Sequence, residues 1–516
     1  MSTTRLRRLS AASAAVGAAL GLTALLPSME ANAQAANRNI VIVTPDEPAT
    51  LEPCGMDTSH IGRVVKQNIA ETLTEIDPSD GSVKPRLALS WEKQSPTTWR
   101  FKLRPNVKFS DGEPFNAETA ASSINRTMSK TIECTTRTRF FAKITFTPKV
   151  VDALTLDIEA SEPVPILPTQ MGVMAIVSPK VTREKLTDEP VGTGPYLYDH
   201  WKRGEEVVLK RNPNYWGAKP DIEQAKYVWR NESSVRASMV KIGEADFAPV
   251  IAPQDATDPK MDFSYLNSET SWLKIDVTRA PLDDRRVRLA MNYAIDRNGL
   301  RGSLFPKDVI PATQVVIPAV LGHNNEIDKK VWPYDPAKAK ALIAEAKAAG
   351  VPVDKEIVLV GRINYYPNGQ EAMEAMMGML NAVGFNIKLI MYEVNQWTSI
   401  NRQPFKEDRG PTIVQSMHDN NNGDAVFSAY PRYGCQGISS NTCDPKLEEL
   451  ITKAATLSGE ERSKTWQEAF RYIYEDMVAD VNMFHMVGFS RVGPRIDFKP
   501  SVATNSEIQI AQMKLK

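Results

Sequence analysis

IVLVGRINYYPNGQEAMEAMMGMLNAVGFNIKLIM, residues 357–391, carries the fold in miniature. Ile357–Val360 is an apolar strand, Gln370–Val383 has the spacing of a helix ended by Gly384, and Ile387–Met391 is the next strand. Strand, helix and strand at this spacing predict a βαβ unit with a parallel sheet, and an α/β fold class. Such sheets take ligands outside the carboxyl ends of their strands. Here that means the loop starting at Arg362 and, after the apolar strand Thr412–Val414, the loop starting at His418. Upstream, Asp335 caps a helix with Pro336 at its first position, running through Ala348 and stopping at Gly350.

Nearer the start, Asn39–Val43 reads as a short buried strand. His60–Leu73 places Ile61, Val64, Val65, Ile69 and Leu73 on one face of an amphipathic helix. Trp99, Phe101 and Leu103 alternate with polar residues, as do Val107 with Phe109 and Leu154 with Leu156 and Ile158, which predicts half-buried strands. Asn116 is placed to cap a helix through Met128. The 35 prolines are scattered, with no low-complexity linker and no solenoid repeat.

Arg5, Arg7 and Arg8 precede an apolar stretch from Leu9 to Leu26, and Ala31-Asn32-Ala33 and Ala33-Gln34-Ala35 offer cleavage sites. This order predicts a secretory signal over residues 1–35, removed near Ala33 to Ala35. A membrane anchor would need roughly 20 strongly apolar residues, and Ala, Gly, Ser and Thr dilute this stretch. Arg7-Arg8 leaves a twin-arginine route open beside the general one. No Cys adjoins the cleavage point to take a lipid, and no later window is apolar enough to span a membrane. Removing Arg5, Arg7, Arg8 and Glu30 changes the net charge from 0 to about −2, which gives no electrostatic footprint for nucleic acid. A chain of 516 residues exceeds one hydrophobic core, so two or three lobes are expected. Four cysteines in an exported chain point to disulfides rather than metal. Cys435 and Cys443 flank a flexible Gly-rich loop and are expected to bridge locally. Cys54 and Cys134 then form a long-range bridge or remain buried thiols.

Catalytic motifs are missing: no G-x-S-x-G, H-E-x-x-H, P-loop, G-x-G-x-x-G or C-x-x-C occurs. Gly192-Thr193-Gly194-Pro195 resembles the start of a phosphate loop, but Pro195 removes a backbone donor and a structural turn is the better reading. The five histidines lack paired spacing, so no metal site is expected. One polar segment stands out, Ser416-Met417-His418-Asp419-Asn420-Asn421-Asn422-Gly423-Asp424, followed by Phe427, Tyr430 and Tyr433. It reads either as a solvated turn or as a loop presenting carboxylates to a ligand amine, the natural partner for a sequestered ammonium. Arg362 reads either as an exposed salt bridge or as a planar fork for a ligand carboxylate.

Several blocks then carry a resemblance: Pro48-Ala49-Thr50-Leu51-Glu52-Pro53; Pro85-Arg86-Leu87-Ala88-Leu89-Ser90-Trp91 with Trp99-Arg100-Phe101-Lys102-Leu103-Arg104; and Phe109-Ser110-Asp111-Gly112. Gly192 to Tyr196, Arg211-Asn212-Pro213-Asn214-Tyr215-Trp216, Asp284 to Ala290 and Tyr334-Asp335-Pro336 follow in order. Together they resemble the extracytoplasmic solute-binding proteins of ABC importers, in the dipeptide, oligopeptide and nickel-binding family (family 5).

The resemblance implies a periplasmic-binding-protein type II-like fold: two lobes, an extra domain in the first, and a ligand cleft between them. Domain I would cover 36–76, 190–268 and 484–516, domain II 77–189, and the opposing lobe 269–483. Cys54 and Cys134 would then share one lobe. The implied function is capture of a short peptide or similar polar solute in the periplasm and delivery to membrane permease subunits. It implies a monomer with no chemistry, no cofactor and no stable membrane insertion. Arg362 would hold the ligand carboxylate and Asp419 the amine, with Asp424 as the alternative. Asn420, Asn421, Asn422, Tyr365, Tyr366 and Trp397 are candidate walls. The family's Trp before that Asp is absent here, where Ser416, Met417 and His418 stand. His418 keeps a metal chelate open as a second solute class beside an opine. An exported hydrolase and a chaperone-like envelope protein are the remaining alternatives.

Overall fold

In the computed structural model the described residues are 37–516, apart from 142, 143, 182, 364 and 421. The signal read over residues 1–35 and the candidate wall Asn421 lie outside them. No helix among the described residues is long and apolar enough to cross a membrane.

One mixed sheet organises the chain. Its order is Tyr196–Lys202, Glu206–Arg211, Gln224–Trp229, Asn39–Thr44, Phe247–Ala248, Asp480–Val492, Asp262–Ile275, Thr412–Asp419, Ile357–Arg362 and Ile387–Tyr392. Ile310–Pro311 adds a short pairing on Asp480–Val492. The expected βαβ unit is present: Ile357–Arg362 pairs in parallel with Ile387–Tyr392, and the helix Gly369–Ala382 connects them. Asp335 caps the helix Pro336–Ala348 by accepting from the Lys338 N–H, and Gly350 follows at φ +86°.

The two long central strands join the lobes. Asp262–Leu266 pairs with Val487–Arg491 beside the first lobe, and Thr270–Lys274 pairs with Asp480–His485 beside the second. Between Leu266 and Thr270 the register shifts, so residues 267–269 have no partner on Asp480–Val492, while Glu269 still pairs with Asp419 on the other side. Bulges of this kind re-aim side chains. The first lobe packs Ile40, Ile42, Tyr196, Leu209, Tyr227 and Phe247 into one core. Its second domain is a four-stranded antiparallel sheet, Ala88–Lys93, Thr98–Leu103, Thr155–Ala160 and Phe146–Asp152, covered by the helix Ala117–Met128. In the second lobe, neighbouring strand residues point to opposite faces, so Leu273 joins a core with Leu359, Met373 and Phe484, while Trp272 joins another with Val316, Trp466 and Phe470.

Three expectations change. The helix foreseen over His60–Leu73 stops at Val65. Gln67 turns to φ 58°, and the Asn68 amide donates to the Ile508 carbonyl and accepts from the Ile510 N–H. A polar side chain satisfied by the distant C-terminal segment thus outweighs the local apolar periodicity. The strand foreseen at Thr412–Val414 continues to Asp419, so His418 lies within it. Its polar residues stay extended because Glu269–Ile275 pairs with the whole stretch from Ile413 to Asp419. Val107 and Phe109 are buried as foreseen, but their segment makes only an isolated bridge, Lys108 to Pro114. Gly192 and Gly194 are structural: a Cβ on either would stand 2.1–2.2 Å from the carbonyl of Ile69 or Asn68.

Both disulfides form, Cys54–Cys134 with Cα atoms 5.1 Å apart and Cys435–Cys443 with Cα atoms 4.4 Å apart.

Candidate ligand-binding site

The site begins where two parallel strands part. Ile357–Arg362 and Thr412–Asp419 pair up to Val360 with Val414 and no further. The Gln415 carboxamide takes up the Arg362 backbone N–H at 2.7 Å. Beyond that point side chains replace the lost strand partner. The Trp397 indole, carried by the helix Val394–Asn401, donates to the Gln415 carbonyl at 3.1 Å. The Tyr365 hydroxyl accepts from the Met417 N–H at 2.9 Å and donates to the Met417 carbonyl at 3.1 Å. Burial raises its pKa to about 12, so the phenol remains a donor. The two rings stand edge to face at 5.2 Å, and the Arg362 guanidinium lies over them, 4.4 Å from the Tyr365 centroid and 5.6 Å from that of Trp397. Stacking orients the fork without consuming its donors. Arg362 Nε is buried and has no hydrogen-bond partner.

Asp419 ends the neighbouring strand, opposite Glu269 in register. Its Oδ1 is buried with no partner. Glu269 belongs to the shifted segment, takes a hydrogen bond from the Asn267 amide at 2.9 Å, and has its pKa raised to about 7. Burial is the main cause and the charge of Asp419 the next. From the first lobe, Arg63 donates to the carbonyls of Thr504 and Asn505. Burial lowers its pKa, and Tyr265, Glu269 and Asp419 oppose that shift. Two carboxylates thus lie side by side with a distant cation and no bonded one, an arrangement suited to an ammonium group.

The polar segment after Met417 supports the site from beneath. The Arg432 guanidinium, on the helix Val426–Tyr433, donates to His418 Nδ1 at 2.6 Å. His418 Nε2 contacts the Ser428 hydroxyl at 2.6 Å. Burial first, then Arg432 and Arg139, push the His418 pKa well below its usual value. The ring is therefore neutral, with its proton on Nε2 and no lone pair left for a metal. Asn420 donates to Ser428 Oγ and to the Asp424 carbonyl, and accepts from the Asn422 N–H. Asp424 takes both forks of Arg462, each at 2.7 Å, and accepts from the Val426 N–H at the start of the Arg432 helix. Among the described residues no group of three or more His, Cys, Asp or Glu could hold a metal ion.

Of the foreseen residues, the fold brings Arg362, Tyr365, Trp397 and Asp419 to the ends of two neighbouring strands. Tyr366 instead packs on Phe305 at 5.3 Å, against the core. His418, Asn420, Asn422 and Asp424 form the buried support. Glu269, Arg63 and Arg432 were missed. Arg432 lies among Phe427, Tyr430 and Tyr433, a cluster visible in the sequence; Glu269 acquires meaning only through its register with Asp419. A recess beside this support is lined by Lys66, Glu75, Gly81, Ala319, Asn420 and Gly423. Among its charged residues, Lys66 pairs with Glu507 at 2.8 Å and Glu75 with Arg86 at 3.2 Å.

Residues 82–440 match the family described as bacterial extracellular solute-binding proteins, family 5 Middle. The chain belongs to this family. The glutathione-binding protein GsiB of Salmonella paratyphi A is 26% identical over 478 residues, covering 89% of this chain and 91% of that one. GsiB of Escherichia coli K12 is 27% identical over 433 residues, covering 81% and 82%. Among solved structures, HbpA2 from Haemophilus parasuis superposes with a TM-score of 0.79 at 22% identity, over 93% of this chain and 100% of that one. The dipeptide-binding protein from Pseudoalteromonas sp. SM9913, in complex with Met-Leu, gives 0.73 at 20% identity over 93% and 100%. These similarities establish the two-lobed type II-like fold of a family 5 solute-binding protein.

Proposed function

We propose that this family 5 protein captures a short peptide, or a similar small solute with free amine and carboxylate, and delivers it to the permease subunits of an ABC importer. One observation carries the reading: Arg362 Nε and Asp419 Oδ1 end neighbouring strands of one sheet, both buried and neither bonded. Unpaired buried charges of opposite sign are costly, and a zwitterionic solute would complete both. In this reading Arg362 clamps the carboxylate, and Asp419 with Glu269 receives the ammonium. Closure follows from contacts that only the ligand-bound lobes share. The proposal includes the partition into 36–76, 190–268 and 484–516, 77–189, and 269–483. It also includes action as a monomer without catalysis, in a periplasm reached after cleavage near Ala33 to Ala35.

Titration calorimetry of the purified protein with dipeptides tests this. Glutathione joins the panel because similar relatives are named for binding it. Micromolar or tighter binding is expected. Arg362→Ala and Asp419→Ala should each weaken it, and the site assignment is wrong if both leave the affinity unchanged.

A further inference from the structure

Arginines outnumber bound acids around these strand ends. Arg432 spends Nη2 on His418, a neutral acceptor, and its ring contact is the Trp272 face at 5.9 Å. Nε and Nη1 have no hydrogen bond to the protein, yet they are absent from the buried orphan atoms, so they open onto accessible space. Arg139 approaches from the other lobe, on the turn Arg137–Phe141. The Phe140 and Phe427 rings, edge to face at 5.6 Å, pack that turn against the Arg432 helix. Arg139 and Arg432 are close enough for each charge to act on the same His418 ring. The Cys54–Cys134 bridge and the Thr136 hydroxyl bond to the Cys54 carbonyl fix the Arg139 side of this pair.

No protein acid is hydrogen-bonded to Arg432, and Asp480, which Arg432 influences through space, accepts from the Tyr433 hydroxyl at 2.6 Å. Asp57 is taken by Arg139 at 3.1 Å. Asp419 acts on Arg432 only through space, and the peptide reading assigns it to the ammonium. Like charges held from opposite lobes repel unless an anion sits between them, and a guanidinium with two open donors is built for a carboxylate.

We propose that Arg432, faced by Arg139, is a second carboxylate subsite, so that the solute is an acidic peptide carrying one ammonium and two carboxylates. The inference rests on the peptide reading and narrows it. Arg362 takes one carboxylate and Arg432 with Arg139 takes the other; the Tyr365 ring, 4.4 Å from the Arg362 guanidinium, feels the charge of both Arg362 and Arg432.

Calorimetry with isosteric pairs decides it: Ala-Glu against Ala-Gln, and Glu-Ala against Gln-Ala. In at least one order the acid should bind about tenfold or more tightly than its amide, as expected for a charge-assisted pair. In Arg432→Gln that ratio should fall to about threefold or less, and Arg139→Gln, on an exposed side chain, should lower it as well. Equal affinities for acid and amide in both orders overturn the inference while leaving the peptide reading intact. So does a ratio that survives both substitutions. If no peptide binds at all, the reading beneath it falls and takes the inference with it. Should Arg432→Gln fail to fold, the ratio in Arg139→Gln decides alone.

Discussion

Asp419 and Asp424 stand on either side of one turn, and the fold treats them in opposite ways. Asp424 accepts three hydrogen bonds and has both oxygens engaged, two bonds coming from Arg462 and one from the Val426 N–H. The Asp419 side chain makes no hydrogen bond, and one of its oxygens is buried. The arginines divide in the same way: Arg462 is bound by a carboxylate and the carbonyls of Ala454 and Leu457, whereas Arg362 and Arg432 keep donors free. A saturated pair anchors the helix Val426–Tyr433 to the helix Gly459–Arg471, and the unsaturated groups are held on that anchored frame. In the proposed reading, preorganisation means that the structural charges are finished so that the charges assigned to the ligand can stay open.

The sharpest way to break this comparison is Asp424→Asn. It leaves Arg462 buried without its partner and should cost about 3–5 kcal/mol of folding stability, read as a lowered urea midpoint. Asp419→Asn should do the reverse. Stability should hold or rise slightly, because an uncompensated charge disappears beside Glu269. Peptide affinity should fall by about 2–4 kcal/mol, or about 30- to 1,000-fold in Kd. If Asp419→Asn unfolds the protein as readily as Asp424→Asn, the division between support and site is wrong.

Glu269 sharpens the same contrast through pH. Its folded pKa, about 7, lies above the ordinary carboxyl value, so the folded state binds the extra proton. Its contribution to the unliganded protein is therefore fully present below about pH 4.5 and is lost as pH rises through 7. The groups acting on it are Asp419, which raises the pKa, and Asn267 and Arg63, which lower it. Asp480 is also raised to about 7 and Lys274 lowered to about 7, both by burial first, so the useful quantity is the difference between wild type and Glu269→Gln. Between pH 5 and 8 the wild type should lose about 1–2 kcal/mol relative to the variant. Peptide affinity should move the other way, rising over that range as the ammonium displaces the proton. A difference curve flat with pH would remove Glu269 from the amine subsite.

What was legible in the sequence follows from whether a signal is local. The βαβ unit, the Asp335 cap and Arg362 at a strand end all rest on short-range patterns, and all are present. The capping box at Asn116, with its side chain on the Thr119 N–H, is local too. The early end of the helix after Val65 was not legible, because the group that redirects it is a carbonyl at Ile508. Nor was the strand through His418, because its partner, Glu269–Ile275, lies far away in sequence. The site divides along the same line. Arg362, Tyr365 and Trp397 belong to the βαβ unit and the helix after it. Glu269, Arg63 and Arg432 become site residues only when the lobes and the register bring them together.

Trp397 gives the smallest of these effects and the finest test of the support. Its indole N–H is the only part that holds the Gln415 carbonyl, while its ring face is the part beneath Arg362. Trp397→Phe keeps an aromatic face and removes the donor, leaving a strand carbonyl unpaired where the parallel partner has already ended. A lost hydrogen bond of this kind costs about 1 kcal/mol, so the midpoint should shift modestly, with peptide affinity falling a few-fold as Arg362 loosens. Trp397→Ala removes ring and donor together and should weaken peptide binding further, through the fork it no longer orients. If Phe and Ala weaken binding equally, the hydrogen bond to Gln415 positions Arg362 and the stacking does not; if Phe binds like wild type, the ring alone orients the fork.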